Sequence, residues 1–150
     1  MIAYPDTSFL CAMYVRQDNS PQAAAYFKAM PEALPVSGLL LYEFRQSARF
    51  QVWLQARDKN KGYPQNVADF ALAKLQSNLD TGALVVAAVD WPDVHRLAET
   101  LSKRHTIAGG HRSLDLLHVA TALHLEAREF LTFDANQRKL AAAEKLKVKP

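Results

Sequence analysis

The feature of this chain that most limits its fold is the alternation of short apolar segments with longer segments of helical periodicity. The apolar segments are Ile2–Tyr4, Leu34–Ser37, Ala83–Val89 and Phe130–Phe133, and Lys147–Lys149 is a candidate edge strand. Each of the first four precedes residues whose pattern favours a helix. Strands that alternate with helices form a parallel sheet with helices on both of its faces. The sequence therefore predicts a three-layer α/β fold with a short parallel sheet of four to five strands flanked by helices.

The middle of the chain predicts a helical hairpin at about 39–81. Leu39–Arg57 contains neither Gly nor Pro, and Val67–Leu79 resumes a helical pattern after a basic turn. One apolar face of the second helix is expected to carry Val67, Phe70, Ala71, Leu75 and Leu79. Ser20 and Pro21 predict the start of an earlier helix, with the Ser20 hydroxyl as its cap. Further helices are predicted at about 8–14, 91–105, 113–127 and 135–146.

Length and composition predict a single cytoplasmic domain. A chain of 150 residues fits one domain, residues 1–150, because single cores commonly form between about 100 and 200 residues. No stretch approaches the roughly 18 to 20 apolar residues of a membrane span, so no membrane association is expected. The first residues, Met1–Asp6, lack the basic and long apolar regions of a signal peptide. The single cysteine, Cys11, can form no internal disulfide and is expected in the core.

The charge of the chain is mildly basic. Eighteen Lys and Arg against fifteen Asp and Glu give a formal net charge of +3. By itself this excess says little about partners. If four of the acidic side chains clustered around cations, the remaining charge of 18 minus 11, or +7, would attract polyanions, although a solvated basic surface explains the charge equally well. In the basic turn, Lys59 and Lys61 are candidate phosphate contacts beside Arg57. Trp53 and Tyr63 are candidates for stacking on bases, but burial within the hairpin is the favoured interpretation.

Four acidic residues fall where strands meet helices. Asp6 follows the first strand, and Glu43 lies in the first turns of the helix after the second strand. Asp115 opens the helix before the fourth strand, and Asp134 follows that strand. In open parallel sheets, ligands bind outside the carboxyl ends of the strands. We therefore expect the four carboxylates to converge at one edge of the sheet.

Convergence of four carboxylates would require cations. Two unit charges about 4 Å apart repel by roughly 4 kcal/mol at an effective dielectric constant near 20. Oxygen ligands without an accompanying Cys or His cluster select Mg²⁺ or Mn²⁺ over zinc. Such ions can activate water and neutralise a phosphoryl oxygen. The predicted chemistry is therefore phosphoryl transfer to water, provided that the carboxylates meet.

Each carboxylate also has an ordinary structural explanation, because acidic side chains cap helices and complement their dipoles. Asp6 can cap the first helix, and Asp134 with Gln137 has the pattern of a capping box. Asp115 and Glu43 can stabilise their helices through a favourable interaction with the helix dipole. Asp90 also follows a strand and precedes a helix, so position alone leaves five candidates.

Four segments place the four carboxylates in longer motifs. Ile2–Ser8 is a strand that ends in Asp followed by small hydroxyl residues, and Ser37–Phe44 carries the glutamate. Ser113–Leu123 contains an Asp that opens an alanine-rich helix, and Phe130–Asp134 is a strand that leads into Thr-x-Asp. In this order and at these spacings, the segments resemble the PIN-domain family, particularly the VapC-like toxins of bacterial toxin-antitoxin pairs. The resemblance covers nearly the whole chain.

The resemblance implies a PIN-like three-layer α/β/α fold and assigns the site. The implied catalytic and metal-binding residues are Asp6, Glu43, Asp115 and Asp134. Their ion would be Mg²⁺, with Mn²⁺ as a substitute, and Asp90 is left out of the site. Thr7 or Ser8 is implied to support water or the scissile phosphate. Pro5 departs from the family pattern, because it removes a backbone donor directly before Asp6.

The resemblance also implies a function. It predicts a Mg²⁺-dependent endoribonuclease toxin that hydrolyses RNA phosphodiester bonds with metal-activated water, with tRNA among the candidate substrates. A small cognate antitoxin would insert a segment into the acidic cleft, and the chain would form a homodimer. Two other classes stay open, a non-catalytic RNA- or protein-binding PIN module and a metal-dependent DNase or phosphatase. No GxGxxG, Walker A, HExxH, GxSxG or CxxC motif points to another enzyme class.

Three further features stay open at this point. Arg112, three residues before Asp115, is either a phosphate contact or a solvated arginine. His118, one turn after Asp115, either hydrogen-bonds that carboxylate or packs within the helix, and packing is favoured. The basic region 51–65 is longer than in compact members of the family and is a candidate substrate or dimer surface.

Overall fold

Short parallel strands alternate with helices in the computed structural model, which describes residues 2–150. The strands are β1 (Ala3–Pro5), β2 (Leu34–Val36), β3 (Leu84–Val86), β4 (Glu129–Leu131) and β5 (Lys147–Lys149). The helices are α1 (Thr7–Tyr14), α2 (Ser20–Ala29), α3 (Gly38–Arg57), α4 (Gln65–Asp80), α5 (Trp91–Gly109), α6 (Ser113–His124) and α7 (Ala135–Ala143). Every strand pairing is parallel. The predicted α/β class is therefore confirmed, including the edge strand near the C-terminus.

The strands form two sheets, one of three strands in the order β1-β4-β5 and one that pairs β2 with β3. In the first sheet Pro5 is opposite Leu131, so β1 and β4 end side by side. The chain divides into two compact units. Unit 1 contains the chain up to Phe9 together with Ala87–Pro150, and unit 2 contains Leu10–Val86. That residues 1–150 fold as one domain stays a prediction.

Unit 1 packs α5, α6 and α7 with the three-stranded sheet. Its fully buried side chains include Tyr4, Val119, Phe130 and Leu140. Gly110 ends α5 in the left-handed conformation, with φ +64°, as expected for a glycine at a helix C-terminus. The helix that opens at Ser113 follows at once, which places Asp115 in its first turn.

Unit 2 contains the hairpin of α3 and α4. Ser37 caps α3, since its hydroxyl accepts a hydrogen bond from the Leu40 amide at 3.1 Å. The apolar side of α4 is buried through Ala68, Ala71 and Leu75. Phe70, which the sequence assigned to this side, is 63% exposed. The reason is geometric, because successive residues turn by about 100° and Phe70 points away from the side that Ala71 and Leu75 share.

Two local predictions were also wrong. The segment 83–89 was expected to be a buried strand, but only Leu84–Val86 pairs, and Val85 and Val86 are exposed. The start of α2 lies one residue earlier than expected, because Asn19 is the N-cap and Ser20 is the first helical residue. The Ser20 hydroxyl instead accepts from the Gln17 amide at 2.8 Å and closes the preceding turn. Within residues 2–150, no helix has the length and apolar character needed to cross a membrane.

Candidate functional site

Asp6 is a fully buried carboxylate at the end of β1. Its amide donates to the Leu131 carbonyl at 2.9 Å, which continues the pairing of β1 with β4 beyond Pro5. Its Oδ1 atom accepts hydrogen bonds from the Ser8 hydroxyl at 2.6 Å and from the Phe9 amide at 3.0 Å. Pro5 therefore does not prevent the Asp6 carboxylate from forming these hydrogen bonds. The hydrogen bond from the Phe9 amide shows that Asp6 also caps α1, as its ordinary structural explanation predicted.

Two hydroxyls hold Asp6, and the backbone after β4 orients both. The Thr132 hydroxyl donates to Asp6 Oδ2 at 2.5 Å and accepts from the Asp134 amide at 2.9 Å. The Ser8 hydroxyl donates to Asp6 and accepts from the Phe133 amide at 2.8 Å. Since each hydroxyl has one proton, the amides direct that proton toward the carboxylate. Sequence reasoning included Ser8 among the supporting residues but gave Thr132 no role, although the Thr-x-Asp motif contained it.

Burial raises the pKa of the Asp6 carboxyl above its ordinary value. The bonds from Ser8, Thr132 and Phe9 lower this pKa in turn, as does the charge of His118. His118 is fully buried on α6, and its ring centroid lies 6.5 Å from that of Tyr4 on β1. Since desolvation acts against the anion, positive charge close to Asp6 would favour its ionised form.

Asp134 is the N-cap of α7. Its Oδ1 atom accepts from the amides of Asn136 and Gln137, both at 2.8 Å, and Oδ2 takes part in neither bond. The capping interpretation therefore holds for one oxygen, and the other stays available for a ligand. In the same turn, the buried Oε1 atom of Gln137 has no hydrogen-bond partner among residues 2–150. Water or an ion at this place would satisfy it.

Asp115 lies in the first turn of α6 and is buried. The Arg112 Nε atom donates to its Oδ2 at 3.2 Å, while the arginine side chain is 80% exposed. Arg112 is thus not purely solvated, since it pairs with an acidic residue of the predicted site. The bond uses Nε and leaves both Nη groups for a further anion. Its role as a phosphate contact stays a prediction.

Glu43 is half-buried in the second turn of α3, in unit 2, whereas Asp6, Asp115 and Asp134 belong to unit 1. The convergence of all four carboxylates stays a prediction. In the described part of the chain, no three side chains of His, Cys, Asp or Glu are placed to hold a metal ion by themselves. Mg²⁺ is commonly held by one or two carboxylates together with water and substrate phosphates. The oxygen atoms of these residues are therefore chemically suited to it.

Asp90, the fifth candidate, has an ordinary structural role. It caps α5, since its Oδ1 accepts from the Asp93 amide at 3.4 Å. Its own amide donates to His124 Nε2 at 3.2 Å. His124 Nδ1 lies 2.8 Å from an Asp93 oxygen, and this bond, with that from Arg96, lowers the pKa of the Asp93 carboxyl. Asp90 and its neighbours thus join α5 to α6.

Two side chains are more exposed than the sequence predicts. Trp53, predicted to be buried in the hairpin, is 47% exposed, because it lies on the side of α3 away from Phe44 and Ala48. Cys11, predicted in the core, is half-buried and lines a cavity of about 280 Å³ with the half-buried Tyr63. Burial raises the pKa of the Tyr63 hydroxyl.

The lysines of the basic region 51–65 are both exposed. Lys61 Nζ lies 3.6 Å from an Asp58 oxygen, and Lys59 is its exposed neighbour in the turn. Their contact with phosphate stays a prediction.

Comparison with known proteins identifies one matching family model. A model of the PIN domain matches residues 3–143. Among solved structures, Mycobacterium tuberculosis VapC20, a sarcin-ricin loop cleaving toxin, is 20% identical with a TM-score of 0.66, and the match covers 99% of each chain. VapBC-1 from nontypeable Haemophilus influenzae is 14% identical with a TM-score of 0.66, covering 99% of this chain and 97% of that one. FitAcB from Neisseria gonorrhoeae is 15% identical with a TM-score of 0.62, covering 100% and 97%. No curated protein sequence matches significantly.

Proposed function

Because the chain belongs to the PIN-domain family, we propose that it is a metal-dependent endoribonuclease, the toxin of a toxin-antitoxin pair. The observation that carries this proposal is the fully buried Asp6 carboxylate, held by the Ser8 and Thr132 hydroxyls where β1 and β4 end. A carboxylate in such surroundings is costly for the protein unless a cation joins it. A structural cap needs neither this burial nor two dedicated hydroxyls.

The proposed metal ligands are Asp6, Glu43, Asp115 and Asp134. When bound, Mg²⁺ or Mn²⁺ would neutralise charge on the phosphate and activate water for attack, leaving a 3′-hydroxyl and a 5′-phosphate. The chain's own residues prepare this site. Ser8 and Thr132 fix the orientation of Asp6, and Thr132 also joins Asp6 to the backbone of Asp134. Arg112 would hold a substrate phosphate through its Nη groups while Nε stays on Asp115.

RNA is the proposed substrate, and a small antitoxin is the proposed partner. The similar Mycobacterium tuberculosis protein is a sarcin-ricin loop cleaving toxin, and two other similar structures are of VapBC-1 and FitAcB. The net charge of +3 is consistent with a polyanionic substrate. From the same family resemblance we propose that the chain forms a homodimer and is located in the cytoplasm.

A cleavage assay with paired carboxylate variants tests the proposal. Purified protein is incubated with tRNA, other structured RNA, single-stranded DNA and a phosphomonoester, in Mg²⁺, Mn²⁺ or EDTA. Wild type should cleave RNA only with metal, and Asp6→Asn should abolish cleavage. Asp90→Asn is the matched control, because Asp90 also caps a helix but lies outside the proposed site, and it should retain activity. RNA that stays intact with either metal, or an Asp6→Asn protein as active as wild type, would refute the proposal.

Metal binding gives a second readout that does not depend on the choice of RNA. Ligands that bind only the native state stabilise it by RT ln(1 + [L]/Kd), about 2.7 kcal/mol at a hundredfold excess over Kd. Mn²⁺ should therefore raise the melting temperature of wild type and of Asp90→Asn but not that of Asp6→Asn. A non-catalytic binding module would show equal melting temperatures with and without metal in all three proteins.

A further inference from the structure

One side of α3 carries an exposed aromatic ladder, which we define as Phe50, Trp53 and Arg57. Phe50 and Trp53 are 48% and 47% exposed. Their rings stack with centroids 5.3 Å apart and an interplanar angle of 13°. The Arg57 guanidinium carbon lies 3.8 Å from the Trp53 ring centroid, and Arg57 Nη1 donates to the Trp53 carbonyl at 3.2 Å. Three flat groups are thus fixed in a row on the helix surface.

The ladder continues along the same side of the helix. Tyr42 lies about two turns before Phe50, on the same side, and is 65% exposed. At about 100° per residue, positions 42, 50, 53 and 57 fall within one quarter of the helix surface. The buried residues Phe44 and Ala48 occupy other directions. The aromatic side chains therefore do not belong to the core of the hairpin.

The charge of this side is mainly positive. From Phe44 through Arg57 the helix has three arginines and no acidic residue, and the half-buried Glu43, seven residues before Phe50, is the acidic residue of α3 near this side. Arg49 lies four residues before Trp53 and is its neighbour on the helix surface. The following turn adds Lys59 and Lys61 against the single Asp58. A ligand for this side must therefore combine negative charge with flat apolar faces.

Single-stranded RNA has this combination, since its phosphates are anionic and each unpaired base has a π-face. We propose that the ladder is a docking surface for a single-stranded segment of RNA. Bases stack on Phe50, Trp53 and the guanidinium of Arg57, while Arg49 and the lysines contact phosphates. The inference rests on the proposed ribonuclease function and extends it, because it assigns substrate binding to residues outside the carboxylate site. An acidic protein surface would match the charge but has no array of stacking faces.

Binding is measured by fluorescence anisotropy on the full chain in EDTA, which withholds the metal that cleavage requires. The probe is a fluorescein-labelled single-stranded RNA of mixed sequence, about 12 nucleotides long, within the range of such sites. Trp53→Ala should weaken binding on the order of tenfold, as expected for the loss of stacking. Phe70→Ala is the matched control, because Phe70 is also exposed, with Lys74 Nζ 5.4 Å from its ring centroid, but lies on α4 outside the ladder. It should bind as wild type does.

Two further measurements separate stacking from simple charge. In a Trp91→Phe background only Trp53 fluoresces among the tryptophans, and its emission should be quenched as RNA is added. A plot of the logarithm of the RNA-binding constant against the logarithm of the salt concentration has a negative slope. Arg49→Gln should reduce the size of this slope by about 0.7, the value for one phosphate contact with a single strand.

The inference is overturned if Trp53→Ala and Phe70→Ala bind equally well, or if Trp53 emission does not respond to RNA. It is also overturned if Trp53→Ala changes the oligomeric state in light scattering and leaves RNA affinity unchanged, since the ladder is then a protein interface. These outcomes are independent of the cleavage assay. Wild type that cleaves RNA while Trp53→Ala binds normally would refute the ladder alone, and failure of all cleavage would refute the nuclease alone.

Discussion

Replacing Thr132 with valine removes one hydroxyl from the buried site and keeps the shape of the side chain. The hydroxyl donates to the Asp6 carboxylate at 2.5 Å and accepts from the Asp134 amide at 2.9 Å. A hydrogen bond to a charged group contributes about 1.5 to 3 kcal/mol, and leaving the part-buried Asp134 amide without a partner adds less than the roughly 1 to 3 kcal/mol that a fully buried group costs. We therefore expect Thr132→Val to lower the free energy of unfolding by about 3 kcal/mol. This is a large part of the roughly 5 to 15 kcal/mol typical of a domain.

The assay is urea unfolding at pH 7 in EDTA, so that bound metal does not contribute to stability. The midpoint should fall without a change in the slope m, because the native and unfolded states expose the same surface as before. Thr132→Ser is the matched control, since it loses only a buried methyl group and retains both hydrogen bonds. It should cost about 1 kcal/mol, the value for a small buried deletion.

A double-mutant cycle then isolates the bond to the carboxylate. In an Asp6→Ala background the acceptor is absent, so Thr132→Val should cost at least about 1 kcal/mol less than in wild type. Two results would contradict this account of the site. One is a Thr132→Val protein as stable as Thr132→Ser, and the other is an equal cost of Thr132→Val in both backgrounds.

Two other residues of unit 2 give further predictions. Gly62 has φ +65°, and a Cβ there would lie 2.0 Å from the Gln51 carbonyl oxygen, so Gly62→Ala should destabilise the protein by about 2 kcal/mol or more in thermal unfolding. Gly82 also has a positive φ, +75°, but a Cβ at this position would have no atom within 4 Å, so Gly82→Ala is the control. An equal loss of stability in Gly62→Ala and Gly82→Ala would show that the clash with Gln51 contributes nothing. Burial raises the pKa of the Tyr14 hydroxyl above 10.0, although the bond from Asn78 opposes this. The native state thus retains that proton more tightly than the unfolded state, and this stability is lost as pH rises through the raised pKa. Wild type should lose stability relative to Tyr14→Phe above about pH 10. A difference between the urea midpoints of the two proteins that stays constant from pH 8 to pH 11 would refute this.

The order and type of the elements could be predicted because both depend on local patterns. Helical spacing and caps such as Asp134 are properties of a few consecutive residues. The exposure of Phe70 and Trp53 could not be predicted in this way. Periodicity indicates which residues share a side of a helix, but it does not indicate which side has a neighbour to cover it.

The surroundings of Asp6 could also be predicted only in part. The position of Asp6 after a strand and the hydroxyl of Ser8 beside it are local features of the sequence. The role of Thr132 depends on the register in which Pro5 pairs with Leu131, and that register is fixed by packing between distant segments. Burial of the carboxylate, which raises its pKa, likewise follows from tertiary structure.

The pairing of β1 with β4 has a consequence for the timing of protein synthesis. The Asp6 and Thr132 side chains that meet are 126 residues apart in the sequence. At about 5 to 20 residues per second, a ribosome needs roughly 6 to 25 seconds to add the residues between them. During that time the nascent chain has the carboxylate but lacks the hydroxyl that orients it. The proposed nuclease would therefore be inactive for most of its own translation.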